Sequence, residues 1–133
     1  MLRIFLVCLG LFFMAAPSNA QEDPIQNTIR AQIEAFQVDD FARAFTFASP
    51  TIQQMFVTPD NFGQMVREGY PMVWHPAQVQ MMDLRSVAGS LWQRVRITDL
   101  KGQSYLMDYQ MVEGPDGWRI NAVQMQKSGD VGA

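Results

Sequence analysis

His75 is the only histidine in the chain, and it stands between Trp74 and Pro76. Histidine is the side chain whose unperturbed pKa lets it exchange a proton near neutral pH. As a general base, His75 would need a group that orients it and a substrate within hydrogen-bond reach. The alternative is a half-exposed turn residue. We favour the turn residue, because a lone histidine seldom acts without partners.

Asp108 is the second residue with potential chemistry, because it stands in a predicted strand among Tyr105, Met107 and Tyr109. A carboxylic acid buried in such surroundings would have a raised pKa and could act as a base. In the strand register predicted below, however, Asp108 points away from the two tyrosines and onto the face of Arg94. We therefore favour an ion pair between neighbouring strands on a solvated face.

Aromatic residues form the third candidate feature. Aromatic side chains with a few polar groups line ligand pockets, but they also fill ordinary cores. In an enzyme of the isomerase or hydrolase type, His75 or Asp108 would act as the base and a tyrosine would donate a hydrogen bond. The residues that we predict to line a pocket are Tyr70, Trp74, His75, Tyr105 and Tyr109.

Several other kinds of site lack support in the sequence. One histidine and no cysteine after Cys8 would leave a zinc site dependent on converging carboxylates, and their spacing does not indicate this. The glycines are isolated turn formers rather than a phosphate-binding loop. The pattern of a nucleophile elbow with a Ser-His-Asp order is also missing from the sequence. We accordingly predict neither a metal nor a cofactor.

The first twenty residues have the layout of a secretory signal peptide. A positive start at Arg3 precedes an apolar run from Ile4 to Ala16, and Ser18 and Ala20 supply small residues before a cut. The run is too short to span a bilayer, which takes about 20 residues. We expect a periplasmic or secreted protein without a membrane span after cleavage. An uncleaved anchor and a lipoprotein attached at Cys8 are less favoured alternatives.

The remaining chain from Gln21 is long enough for one domain with a core that needs no disulfide. Removing Arg3 leaves nine of the ten basic residues against thirteen acidic ones, so the net charge becomes −4. Both signs are scattered along the sequence. Without a basic patch to neutralise phosphates, nucleic acid is not an expected partner.

Helical patterns occupy the first half of the chain. Asp23-Pro24 resembles a helix start, and Asp39-Asp40, Ser49-Pro50 and Thr58-Pro59 repeat a capping residue before later helices. Gly69 is a plausible helix end, and residues 69–76 then form a hinge into the second half. The first and most regular helix has one apolar stripe, which consists of Ile25, Ile29, Ile33 and Phe36.

Strand patterns occupy the second half, with four consecutive antiparallel strands. Leu91 to Thr98 alternates between apolar and polar residues, and Asp99–Gly102 is a turn. This turn predicts that Ile97 lies opposite Tyr105, with the apolar faces of the two strands coinciding. The register of the last strand, 118–127, is less clear, because Trp118 and Ile120 favour the opposite face from Val123 and Met125, and a bulge between them is one solution.

This order of elements predicts an α+β domain over residues 21–127, with helices on one face of the sheet and a flexible tail at 128–133. It resembles the nuclear-transport-factor-2-like superfamily, which includes ketosteroid isomerase and many non-enzymatic domains. That resemblance implies a curved four-stranded sheet closed around a pocket as a cone. The catalytic carboxylates of ketosteroid isomerase match no motif in this chain.

A narrower resemblance covers nearly all of the mature chain. The segments 36–50, Phe56, Thr58-Pro59 and 65–71 are similar to an uncharacterised bacterial family, domain of unknown function 4864. This family implies a fold and no known activity. We expect a non-catalytic module that binds a small apolar ligand or meets a protein partner, for instance a second copy through the sheet face. The alternative is the small isomerase or hydrolase with His75 or Asp108 as base.

Overall fold

The computed structural model describes residues 22–126, which form helices followed by a four-stranded antiparallel sheet. This confirms the predicted α+β class, whereas the cone shape stays a prediction. The predicted signal peptide at 1–20 and tail at 128–133 lie outside the described residues. The elements are α1 (Glu22–Gln37), α2 (Phe41–Thr46), α3 (Pro50–Phe56), α4 (Pro59–Gly69), α5 (Pro71–Trp74), β1 (Gln78–Val87), β2 (Ser90–Thr98), β3 (Ser104–Gly114) and β4 (Gly117–Gln126).

Three of the predicted helix starts are capped by side chains. Asp40, Ser49 and Thr58 each accept a hydrogen bond from a backbone N–H three residues further along the chain. A side-chain oxygen satisfies an N–H group that has no partner in the first turn of a helix. Proline at the first position of α3 and α4 loses nothing there, because its missing N–H would have no helical partner.

The predicted hinge at residues 69–76 contains a short helix that the sequence did not indicate. Gly69 ends α4 as expected, but Pro71 then begins the single turn of α5. The fixed φ of proline suits the first position of a helix as well as it suits an extended crossing. Met72 and Val73 are buried by this turn, so it contributes to the core besides connecting the two halves.

The sheet has the strand order β1-β2-β3-β4, and the predicted register of β2 and β3 is confirmed. Ile97 lies opposite Tyr105. A bulge also occurs in β4 as predicted: Met111 pairs with Ile120 and Gln110 pairs with Ala122. The residue between them, Asn121, is the extra one. It brings the apolar residues on both sides of the bulge onto one face of the sheet.

A second bulge interrupts β1, where Met81 pairs with Val95 but Leu84 pairs with Gln93. The extra residue leaves backbone groups of β1 without a regular ladder partner. Gln93 is fully buried, and its Nε2 donates to the carbonyl of Met82 at 2.7 Å and to that of Arg94 at 2.9 Å. This amide therefore holds the irregular part of β1 against β2.

The core lies between the apolar stripe of α1 and the inner face of the sheet. Ile25, Ile29 and Phe36 of α1 are at most 1% exposed. The inner face contributes a second set of buried side chains, namely Val95, Ile97, Met107, Tyr109, Met111 and Ile120. Between residues 22 and 126, none of the helices is long and apolar enough to cross a membrane.

A candidate ligand cavity

A cavity of about 360 Å³ opens where the helices meet β3 and β4. Its wall consists mainly of apolar side chains, and its volume falls in the lower part of the range typical of small-molecule sites, roughly 300–1,000 Å³. The lining residues are Gln32, Phe36, Ala48, Ile52, Met55, Phe56, Phe62, Met65, Val66, Tyr70, Val73, Tyr109, Ile120, Asn121, Ala122 and Val123.

One wall of the cavity is α3, which contributes Ile52, Met55 and Phe56. The segment before α3 is fastened to the edge of β4, because the N–H of Ser49 donates to the carbonyl of Ile120 at 2.8 Å. The hydroxyl of Ser49 also donates to Oδ1 of Asn121 at 2.8 Å. The bulge residue of β4 thus helps to set the position of the helix that closes the cavity.

Tyr109 lies at the wall of the cavity on β3 and is fully buried. Its hydroxyl has no hydrogen-bond partner among the residues that the structure describes. Burial raises the pKa of Tyr109, and the nearby Tyr70 raises it further, so the phenol stays protonated at physiological pH. Tyr70 also lines the cavity. The two tyrosines therefore place polar groups close together on a mainly apolar wall.

Two amide side chains complete the polar part of the lining. Nε2 of Gln32 donates to the carbonyl of Ala44 at 3.1 Å. Nδ2 of Asn121 donates to Oε1 of Gln110 at 2.9 Å, in addition to its bond with Ser49. Each amide thus already has a partner in the protein. All the lining residues within the described range are uncharged.

Of the five residues predicted for the pocket, the structure brings only Tyr70 and Tyr109 to the cavity. Trp74 lies outside the cavity lining. Its Nε1 donates to Oδ1 of Asp39 at 2.8 Å, and the Cζ atom of Arg67 lies 4.8 Å from the centroid of its ring. The side chain of His75 is 38% exposed, and its Nε2 lies 4.0 Å from the same Asp39 oxygen. Residues 74 and 75 thus belong to a surface cluster around Asp39.

Tyr105 lies at the other end of the sheet, also outside the cavity lining. Its hydroxyl donates to Oδ2 of Asp99 at 3.3 Å, beside the turn that connects β2 and β3. Partial burial and the charge of Asp99 raise the pKa of Tyr105. The contact ties the side chain to the turn. A binding role for Trp74, His75 or Tyr105 stays a prediction.

Asp108 forms the cross-strand ion pair that the register predicts. Its two oxygens accept from Nε and Nη2 of Arg94 at 3.0 and 3.1 Å, and Oδ2 also accepts from Nε2 of Gln126 at 2.8 Å. Nη2 of Arg85 lies 3.7 Å from Oδ2 of Asp108. The expectation of a solvated face is wrong at this position, because Asp108 is only 5% exposed. The hydrogen bond to Asp108 raises the pKa of Arg94, so the guanidinium stays charged.

Most of the cavity residues were not singled out from the sequence. Ile52, Phe56 and Met65 stand in helical stripes, a pattern that identifies a buried face without distinguishing a packed core from a cavity. Besides Tyr70 and Tyr109, the bulge considered for β4 was a sequence signal near this site, and the structure places it at Asn121. It marks the place where β4 meets the segment before α3.

Within residues 22–126, no group of three or more metal-binding side chains converges. No curated protein matches the chain. The family model described as Domain of unknown function (DUF4864) matches residues 18–133. Since this match covers most of the sequence, the chain belongs to the DUF4864 family.

Proposed function

We propose that the protein is a non-catalytic binding module whose cavity holds a small apolar ligand. The observation that carries this proposal is the cavity of about 360 Å³ with its predominantly apolar lining. Burying apolar ligand surface in such a site is favourable by roughly 25 cal/mol for each Å² removed from water. A preformed wall of helices and strands also limits the ordering that binding requires.

The positions of the candidate bases support binding over catalysis. His75 and Asp108 both lie outside the cavity lining, and Asp108 is already held by Arg94 and Gln126. A general base must come within hydrogen-bond reach of the proton that it removes. The titratable side chains at the described cavity wall are Tyr70 and Tyr109, and the raised pKa of Tyr109 makes it a hydrogen-bond donor rather than a base.

A filled cavity tests the proposal. Val123 lines the cavity from β4, so the larger side chain of Val123→Phe is expected to fill part of the cavity. It should weaken the binding of a compact apolar probe, 2-acetylnaphthalene, at least tenfold. The matched control is Val112→Phe, because Val112 pairs with Arg119 on the outer face of the sheet and lies outside the lining. Isothermal titration calorimetry measures the affinity of both variants.

The control variant should bind within about twofold of the original protein. Failure of the unaltered protein to bind apolar probes of this size would contradict the proposal. Equal loss of affinity in both valine variants would also contradict it, because the effect would then not depend on the cavity.

We also propose that the protein acts outside the cytoplasm, since residues 1–20 have the pattern of a signal peptide. Expression of the full sequence in a Gram-negative bacterium should yield periplasmic protein whose mass corresponds to a chain starting at Gln21. Recovery of the full-length mass from the cytoplasm would contradict the export proposal. The predicted contact between two copies through the outer sheet face stays a prediction.

A further inference from the structure

We propose that the ligand is uncharged and carries a hydrogen-bond acceptor, such as a ketone or ester carbonyl, which binds the hydroxyl of Tyr109. This inference rests on the proposed binding function and adds the chemical class of the ligand. The carbonyl would accept the hydrogen bond, while the rest of the ligand would contact the apolar wall. No covalent step is involved.

The buried hydroxyl of Tyr109 is the first observation behind this class. A buried polar group without a hydrogen-bond partner is unfavourable, and native proteins contain few of them. Among the described residues nothing accepts from this hydroxyl, and Tyr109 has 0% exposure, so bulk water does not satisfy it. A ligand acceptor at this wall would supply the missing partner.

The remaining polar groups of the lining make Tyr109 the principal anchor. The side-chain amides of Gln32 and Asn121 already donate to partners in the protein. Tyr70 is only partly buried, so its polar group can be hydrated. A ligand acceptor therefore binds most favourably at the Tyr109 hydroxyl, because leaving this buried group unpaired costs more free energy than leaving a hydrated one.

The charge of the lining excludes ionised ligands. All of the lining residues in the described range are uncharged, so a buried carboxylate or ammonium would meet no opposite charge. Moving an ionised group from water into such surroundings is strongly unfavourable. The raised pKa of Tyr109 agrees with this, because the wall also disfavours the charged form of its own phenol.

The cavity size limits the ligand to a compact molecule. A volume of about 360 Å³ corresponds to roughly a dozen water-sized groups of about 30 Å³ each. A naphthalene ring with one small substituent has about a dozen non-hydrogen atoms and fits within this volume. Three such probes differ only in the group presented to the wall: 2-acetylnaphthalene, its carbon isostere 2-isopropenylnaphthalene, and the anion 2-naphthoate.

Titration calorimetry of these probes tests the inference on the unaltered protein and on Tyr109→Phe. The unaltered protein should bind the ketone about fivefold to tenfold more tightly than the isostere, and naphthoate more weakly than either. In Tyr109→Phe the ketone and the isostere should bind equally, within about twofold. The matched control Tyr105→Phe removes a tyrosine hydroxyl that lies outside the cavity lining, so it should keep the preference for the ketone.

The outcomes separate this inference from the proposed function. Equal binding of ketone and isostere by the unaltered protein would overturn the inference and leave apolar binding intact. A preference that survives in Tyr109→Phe, or is lost in Tyr105→Phe, would overturn the role of Tyr109. Tightest binding of naphthoate would overturn the uncharged class. Binding of none of the probes would overturn both proposals. Circular dichroism and thermal melts check that each variant is folded.

Discussion

Replacing Phe36 with alanine is expected to lower the free energy of unfolding by about 4 kcal/mol. Phe36 is 1% exposed and joins α1 to the neighbouring helices, with its ring centroid 5.7 Å from that of Phe62 and 6.3 Å from that of Phe41. Removing the ring would abolish these contacts and enlarge a cavity that the residue already borders. Urea unfolding followed by circular dichroism measures the change.

Leu100→Ala is the matched control, because Leu100 is 74% exposed at the turn between β2 and β3. It should change the free energy of unfolding by less than about 0.5 kcal/mol. A loss below about 1.5 kcal/mol in Phe36→Ala would contradict the expectation. It would mean that the cavity wall collapses around the missing ring.

Replacing Asp108 with alanine is expected to destabilise the fold by about 3 kcal/mol and to lower the Tm by roughly 10–20 °C. The carboxylate is 5% exposed, and its removal leaves the guanidinium of Arg94 and the amide of Gln126 without their partner. Leaving the partly buried charge of Arg94 without an opposite charge lowers the stability of the fold. Arg94 is itself 26% exposed, so hydration keeps the loss below that of a fully buried pair.

Asp83→Ala provides the control for Asp108→Ala, because Asp83 is an exposed carboxylate in the same part of the sheet. Its loss should cost less than about 1 kcal/mol. A double-mutant cycle with Arg94→Ala should then show that the two residues are coupled. Additive effects of Asp108→Ala and Arg94→Ala would contradict a structural ion pair at this position.

The local features of the fold were predictable because single residues determine them. Asp40, Ser49 and Thr58 identified three helix starts through the oxygen that each side chain offers to the first turn. The turn at Asp99–Gly102 determined the pairing of β2 with β3. Because that register places Arg94 opposite Asp108, the ion pair could be predicted as well.

Asp108 is also contacted by side chains of β1 and β4, which the β2–β3 pairing does not involve. Arg85 reaches the carboxylate from β1, after the bulge that follows Met81. An extra residue in a strand moves the side chains that follow it to the opposite face of the sheet. The sequence of β1 contains no pattern that predicts this bulge. The short helix at residues 71–74 was missed because proline fits both an extended segment and a first helical position.

The cavity was only partly predictable. Tyr70 and Tyr109 could be selected as aromatic residues with a polar group, but His75 was selected because it is the only histidine in the sequence. Its position beside Trp74 and Asp39 follows from the path of the chain after α4. Whether apolar stripes leave a space between them depends on how the helices pack on the sheet, and periodicity carries no such information.

The irregular β1 strand also bears on the solubility of the protein. β1 is at one edge of the sheet, and among residues 22–126 no further strand pairs with its outer side. An open edge of this kind invites pairing with strands of other chains, which leads to aggregation. The bulge between Met81 and Leu84 breaks the regular spacing of the backbone groups, and exposed Asp83 and Arg85 add charge there. These features protect the ten-residue edge against fibrous assembly.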